Sequence, residues 1–106
     1  MNVTAPAIKN ATTGVIILST TITNNNDRSQ PFVGIIEVRD NIGVTVFLAF
    51  WNGTLDPLLS TDIGVVWQPE HDGVFELRSF VISSLSGEAE LLSPLALSKI
   101  TINSYA

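Results

Sequence analysis

The sequence predicts an all-β fold, an antiparallel β-sandwich of about seven strands without a disulfide. Apolar and polar residues alternate in nearly every apolar run, and no stretch keeps a helical period over more than about ten residues. Clusters of turn-forming residues separate these runs. The chain has no cysteine among its 106 residues, which excludes a disulfide framework and a thiolate metal site.

The first half of the chain predicts four elements. Residues 1–12 are polar and interrupted by proline, which is typical of an N-terminal arm or a short edge strand ahead of a sandwich core over residues 13–103. Segment 15–23 is β-branched almost throughout and predicts a strand. After a loop of turn formers, segments 32–40 and 44–51 form a hairpin, with Gly43 in the left-handed position of its turn.

The second half predicts three further strands, over residues 58–67, 74–82 and 96–103. Ile63, Val65 and Trp67 alternate in the first of them, and we expect Trp67 to be buried against Phe75 and Leu77. Residues 68–73 and 84–94 form loops. Strands of this number and length, with these turns, are typical of a single sandwich domain of the immunoglobulin or fibronectin type III kind.

Composition excludes several classes of function. Hydrophobic residues make up 45% of the chain and charged residues 14%, so a folded core is expected. A net charge of −5 without a basic stripe argues against nucleic-acid binding. No apolar run reaches the roughly 18 residues of a membrane span, and the N-terminus lacks the pattern of a signal peptide. A cytoplasmic protein and a domain of a longer secreted chain both remain open.

Three N-x-T sequons, at Asn2, Asn10 and Asn52, are candidate glycosylation sites and slightly favour secretion. The alternative is that a β protein rich in Asn and Thr produces sequons by chance.

The sequence offers no evident catalytic centre, so we expect a non-enzymatic protein without a cofactor. His71 is the only histidine and lies between Glu70 and Asp72 in a polar loop, where a solvated side chain is expected. Calcium prefers oxygen ligands, and several aspartates fall near predicted loops, but none of them has calcium-loop spacing. We predict no metal site, although the sequence leaves calcium in the loops open. These aspartates are Asp27, Asp40, Asp56, Asp62 and Asp72.

Opposite charges indicate how strands 32–40 and 74–82 pair. If they are antiparallel neighbours, one register places Glu37 opposite Arg78 and Arg39 opposite Glu76. The same register places Ile35 beside Phe80 and Val33 beside Ile82. The charges mark this face as the outer one, because an unpaired buried charge is costly.

Extending the register through the 41–43 turn predicts an apolar patch on that face. The turn would place Phe47 opposite Glu37 and Trp51 opposite Val33, with Leu48 and Phe50 pointing into the core. Such a patch is larger than a monomer usually exposes. It would be a partner surface, or be covered by the N-terminal arm or the 84–94 loop, or be absent if the register slips by one residue. The predicted interaction face comprises Val33, Ile35, Phe47, Trp51, Phe80 and Ile82.

Eight short segments between Gln30 and Pro94 occur together and in order. They are Gln30-Pro-Phe-Val33, Glu37-Val-Arg-Asp40, Gly43-Val-Thr45, Gly53-Thr-Leu55, Trp67-Gln-Pro69, Gly73-Val-Phe75, Phe80-Val-Ile-Ser83 and Leu92-Ser-Pro94. With these segments the stretch resembles immunoglobulin-like modules of archaeal cell-surface proteins, especially those of ammonia-oxidising archaea. The resemblance implies an extracellular structural or adhesive module and transfers no catalytic residue.

Three hypotheses of function follow. The first is a structural or adhesion module of a larger surface protein that binds protein, either a second copy or a neighbouring module, through the predicted face. The second is a carbohydrate-binding module that uses Trp51 and Phe47 as a stacking platform. The third is a surface-filament subunit joined by strand addition through the N-terminal arm. The predicted face is rich in aliphatic residues (Val33, Ile35, Ile82) and poor in polar groups that could bond sugar hydroxyls, which favours a protein partner.

Overall fold

Two antiparallel sheets pack face to face in the structure, a computed structural model that describes residues 1–12 and 15–103, with the backbone alone for residues 9–12. The described residues form strands β1 Asn2–Val3, β2 Ala7–Thr12, β3 Val15–Thr23, β4 Gln30–Arg39, β5 Thr45–Leu55, β6 Ser60–Trp67, β7 Gly73–Ile82 and β8 Ala96–Ile102. The predicted all-β sandwich is therefore confirmed. No helix in the described part of the chain is long and apolar enough to cross a membrane.

The first sheet is built around β3, which pairs with β6 on one side and with β1 and β2 on the other. Pro6 lies between β1 and β2, where the missing N–H cannot interrupt a ladder. The segment between them is tied to the second sheet, because Ser79 Oγ donates to the Thr4 carbonyl at 2.6 Å and Ser98 Oγ donates to the Pro6 carbonyl at 2.7 Å. The N-terminal segment is thus an edge strand of its own sandwich.

The second sheet has the order β5-β4-β7-β8, with β4 and β7 in the centre. The register of β4 with β7 is the one that the charges indicated. Glu37 faces Arg78, Arg39 faces Glu76 and Ile35 faces Phe80. Opposite charges across two strands were therefore sufficient to align the centre of the sheet.

The core lies between the sheets and is apolar. Ile36, Val38 and Val81 of the second sheet are fully buried in one cluster with Leu18 and Ile22 of the first. The side chains of the first sheet pack closely against the backbone at Gly34, where a Cβ atom would lie 2.6 Å from Ile22 Cδ1.

Trp67 closes one end of this core. It is 4% exposed, and its ring meets that of Phe75 edge to face, with centroids 5.0 Å apart and planes at 79°. Such a geometry is favoured by the quadrupoles of the two rings. The prediction that Trp67 is buried with Phe75 is confirmed.

The hairpin between β4 and β5 departs from the prediction. Gly43 has the expected positive φ of 87°, and the Asp40 carboxylate accepts the N–H groups of Ile42 and Val44. Arg39 faces Thr45 as expected, but Val38 then faces Phe47, so Val46 forms a bulge. An extra residue in one strand moves every later side chain to the opposite face.

The bulge corrects the predicted pairs of β5. Leu48 faces Glu37 and Phe50 faces Ile35, whereas Trp51 faces Gly34. Phe47 and Trp51 therefore do not belong to the predicted interaction face, and Leu48 and Phe50 take their place on it. For this strand, the register slip left open by the sequence is what occurs.

Candidate functional site

The outer face of the second sheet is the candidate site. We use the name outer face for the side chains of this sheet that point away from the first sheet. By strand pairing they form four cross-strand rows that cross both β4 and β7. These rows are Asn52-Val33-Ile82, Phe50-Ile35-Phe80, Leu48-Glu37-Arg78-Leu97 and Thr45-Arg39-Glu76-Lys99.

Exposure on the outer face increases from the centre to the flanks. Val33 and Ile35 on the central strand β4 are 5% and 9% exposed, because larger neighbours on β5 and β7 flank them. Leu48 and Phe50 on β5 are each 58% exposed, and Leu97 on β8 is 52% exposed. The accessible apolar surface therefore lies on β5 and β8 and not on the residues that the sequence placed at its centre.

A cluster of charges lies between these two apolar flanks. Arg39 Nε donates to Glu37 Oε2 at 3.2 Å, and Arg78 Nε lies 3.4 Å from Glu37 Oε1 and 3.9 Å from a Glu76 oxygen. Arg39 and Glu76 are paired in register, but the ion pairs of the described residues run through Glu37 and Arg78. The predicted Arg39–Glu76 ion pair is thus not formed at side-chain level.

Glu37 is the buried centre of this cluster, with only 8% of its surface exposed. Burial disfavours its charged form, but the Thr45 hydroxyl donates to its carboxylate at 2.5 Å, and Arg39 and Arg78 stabilise the charge. These interactions outweigh burial, so the pKa of Glu37 lies below its ordinary value. The carboxylate holds its neighbours in place and is not free to act as an acid or a base near neutral pH.

Neither segment proposed to cover the outer face does so. The N-terminal segment belongs to the other sheet. The 84–94 loop runs beside the end of β7, where Ile82 pairs with Leu91 and the Leu92 N–H donates to the Val81 carbonyl at 2.7 Å. Leu91 remains 63% exposed, so the loop extends the apolar surface instead of covering it.

Phe47 and Trp51 lie on the same face of β5, but it is the face turned toward the first sheet. Phe47 is partly buried against the core, whereas Trp51 is 52% exposed at the sheet edge. The predicted stacking platform is reduced to a single accessible ring.

A cleft that the sequence did not reveal opens beside Phe47, at the end of the sandwich. Its volume is about 300 Å³, and it lies where the start of β5 meets the loop after β6. His71 lies over Phe75 with ring centroids 5.4 Å apart, and its Nδ1 is 3.0 Å from the Asp72 carbonyl. The lining residues are Val46, Phe47, Trp67, Gln68, Glu70, His71 and Phe75.

The remaining polar candidates are dispersed. Asp56 accepts a hydrogen bond from Ser29 and Asp62 accepts one from Thr21, so each serves its local structure. The described residues contain no group of three or more acidic or histidine side chains suited to a metal. Asn2 and Asn52 are exposed, and the side chain of Asn10 lies outside the described residues.

Comparisons with known proteins identify the fold alone. No family model and no curated protein matches the chain. Among solved structures, the chain is similar to part of a β-glucuronidase from glycoside hydrolase family 2, with a TM-score of 0.69 and 13% identity. The match covers 92% of this chain and 11% of the β-glucuronidase. The chain is therefore similar to a small part of a much longer enzyme, at an identity that supports a shared β-sandwich fold.

Proposed function

We propose that this chain is a non-enzymatic interaction module, a structural or adhesion domain of a larger extracellular surface protein. Its partner is protein, either a second copy or a neighbouring module, and contacts the outer face. The observation that supports this proposal is the exposure of large apolar side chains on both flanks of the outer face, at Leu48, Phe50 and Leu97. Large apolar side chains left exposed on a sheet face are typical of protein-binding sites, although here the two flanks are separated by the charges on β4 and β7.

The charge cluster supports the choice of a protein partner. Glu37 is already satisfied by Thr45, Arg39 and Arg78, so it has little capacity left for sugar hydroxyls. The flanks themselves are aliphatic or aromatic and provide no hydrogen-bonding groups at Leu48, Phe50 or Leu97. Arg78 Nε in this cluster has no hydrogen-bond partner among the described residues, but it is buried, so the accessible groups on the flanks are apolar and favour a protein partner over a sugar.

Sedimentation of the isolated domain at increasing concentration tests this proposal. We expect weak self-association that Leu97→Lys reduces, because the substitution places a charge on the β8 flank of the outer face. The half-exposed position of Leu97 should tolerate lysine without loss of the fold. Val66→Lys is the matched control, since Val66 is 61% exposed on β6 of the other sheet. Equal association of the two variants would contradict self-contact through the outer face.

Carbohydrate binding is the second candidate, and the cleft is the observation that favours it. Aromatic rings of Phe47 and Phe75 lie beside the polar groups of Glu70 and His71, a combination that suits a sugar ring. The similarity of the fold to part of a β-glucuronidase motivates the same test. A glycan array probed with the wild-type domain and with Glu70→Ala tests carbohydrate binding. Binding by the wild type that is lost in Glu70→Ala would support the second candidate, and no binding by the wild type would contradict it.

A further inference from the structure

Strand β5 is a free sheet edge of unusual composition. It has 11 residues, from Thr45 to Leu55, and pairs only with β4. The chain carries no charged residue and no proline between Asp40 and Asp56. Exposed edges normally carry such residues, because unpaired backbone N–H and C=O groups are a template for another strand.

The other edges of the described sandwich are protected. Strand β8 carries Lys99, and β6 carries Asp62. The N-terminal edge is interrupted at Pro6 and shifts register after Ile8. The only comparable device on β5 is the bulge at Val46, which lies at its start and leaves the rest of the strand open.

Both faces of β5 expose apolar side chains near this edge. Leu48 and Phe50 are each 58% exposed on the outer face, and Trp51 is 52% exposed on the opposite face. A strand added beside β5 would cover side chains on both faces and also satisfy the edge backbone groups. A partner that only contacted the outer face would leave Trp51 and those backbone groups in water.

We propose that β5 pairs edge to edge with β5 of a second copy of this chain, antiparallel and centred on Ala49. The strand is nearly symmetric about that residue, with Leu48 and Phe50 on one face and Phe47 and Trp51 on the other. A two-fold axis at Ala49 places Phe50 opposite the partner's Leu48 and Trp51 opposite the partner's Phe47. These central pairs are apolar, which is a favourable arrangement for a sheet, and the outer pairs join Val46 to Asn52 and Thr45 to Gly53.

Charge also favours a second copy as the occupant. Each chain has a net charge of −5, yet β5 is neutral, so the contact brings no like charges together at close range. Repulsion between the remaining charges is long-range and is screened by salt. The paired state should therefore strengthen as ionic strength rises.

The size of the contact indicates weak association. Nine paired residues extend over about 30 Å of strand. Covering the exposed parts of Leu48 and of the rings of Phe47, Phe50 and Trp51 removes on the order of 300 Å² per copy. This is less than the roughly 800 Å² per partner of a standard interface. A dimer that forms at high micromolar or greater concentration is expected.

The pairing would join two four-stranded sheets into one continuous sheet. The outer faces would then lie side by side and double the surface available to a further protein. This edge contact shares Leu48 and Phe50 with the outer-face contact of the proposed function, but it does not use Leu97 and adds the backbone of β5 and Trp51 on the opposite face.

Single substitutions separate the two contacts. In the non-glycosylated domain, we expect Trp51→Lys to weaken dimerisation at least tenfold in sedimentation equilibrium. Leu97→Lys should remove only the association through the outer face and leave an edge dimer, and Val66→Lys should change neither contact. Circular dichroism of each variant establishes that it remains folded. Loss of association in Leu97→Lys but not in Trp51→Lys would place the contact on the outer face and overturn edge pairing.

The absence of cysteine allows a direct test of geometry. Ala49→Cys should be linked to itself by a short bis-maleimide at concentrations where the wild type is dimeric, and Val66→Cys should not. Equal linking of both variants, or a wild type that stays monomeric at millimolar concentration in high salt, would refute the proposed pairing. The latter result would leave the proposed function open to a neighbouring module as the partner.

Discussion

Removing the Trp67 side chain tests the placement of the core most directly. The ring is 4% exposed at the end of β6 and packs edge to face on Phe75 at 5.0 Å. Trp67→Ala would leave a cavity between the sheets and expose the edge of Phe75, which is itself 2% exposed. The loss therefore combines the transfer free energy of the indole with that of an unfilled cavity.

The expected cost is about 3–5 kcal/mol of the free energy of unfolding, the usual range for a buried aromatic replaced by alanine. With a urea slope of about 1.5 kcal/mol per M, the unfolding midpoint would fall by about 2–3 M. Circular dichroism at increasing urea measures the unfolding midpoints of the wild type and of Trp67→Ala with the same signal. The total stability of a domain is about 5–15 kcal/mol, so this loss would be a large fraction of it.

Trp51→Ala is the matched control, because it removes the same side chain from a half-exposed edge position. Its cost should stay below about 1 kcal/mol. If Trp51→Ala destabilises the domain as much as Trp67→Ala, or if Trp67→Ala costs less than about 1 kcal/mol, the assignment of inner and edge tryptophans is wrong.

Two further predictions concern the second sheet. Gly34→Ala should lower the melting temperature by several degrees more than Gly87→Ala, because its Cβ atom would lie 2.6 Å from Ile22 Cδ1 whereas the site at Gly87 is open. Equal melting temperatures in a calorimetric scan would contradict the close sheet approach. The lowered pKa of Glu37 stabilises the fold above its ordinary value near 4.5, and this contribution is lost as pH falls through the folded-state pKa. The wild type should therefore lose more stability between pH 7 and pH 3 than Glu37→Gln, and parallel pH profiles in urea titrations would refute this contribution.

The centre of the second sheet could be predicted because its sequence contains information specific to one alignment. Glu37 and Arg39 match Arg78 and Glu76 in only one nearby register, and Gly43 marks the turn by its positive φ. The burial of Trp67 likewise follows from strict alternation in β6. These features depend on neighbouring residues or on charge, both of which are visible in a sequence.

Strand β5 shows what only the tertiary structure decided. All residues from Val46 to Trp51 are apolar, so the composition does not show which of the two strand faces turns toward the core. A bulge of one residue at Val46 then determines which set faces the core. The composition of the outer face follows from that bulge, because it turns Leu48 and Phe50 outward and Trp51 to the opposite face. The free edge follows from the strand order, in which β5 is the outermost strand. The cleft beside His71 depends in the same way on the meeting of distant segments, since its lining comes from β5, β6, β7 and the loop before β7. The sequence by itself therefore determined the strands, the buried tryptophan and the central register, and packing between the sheets decided which side of β5 is available to a partner.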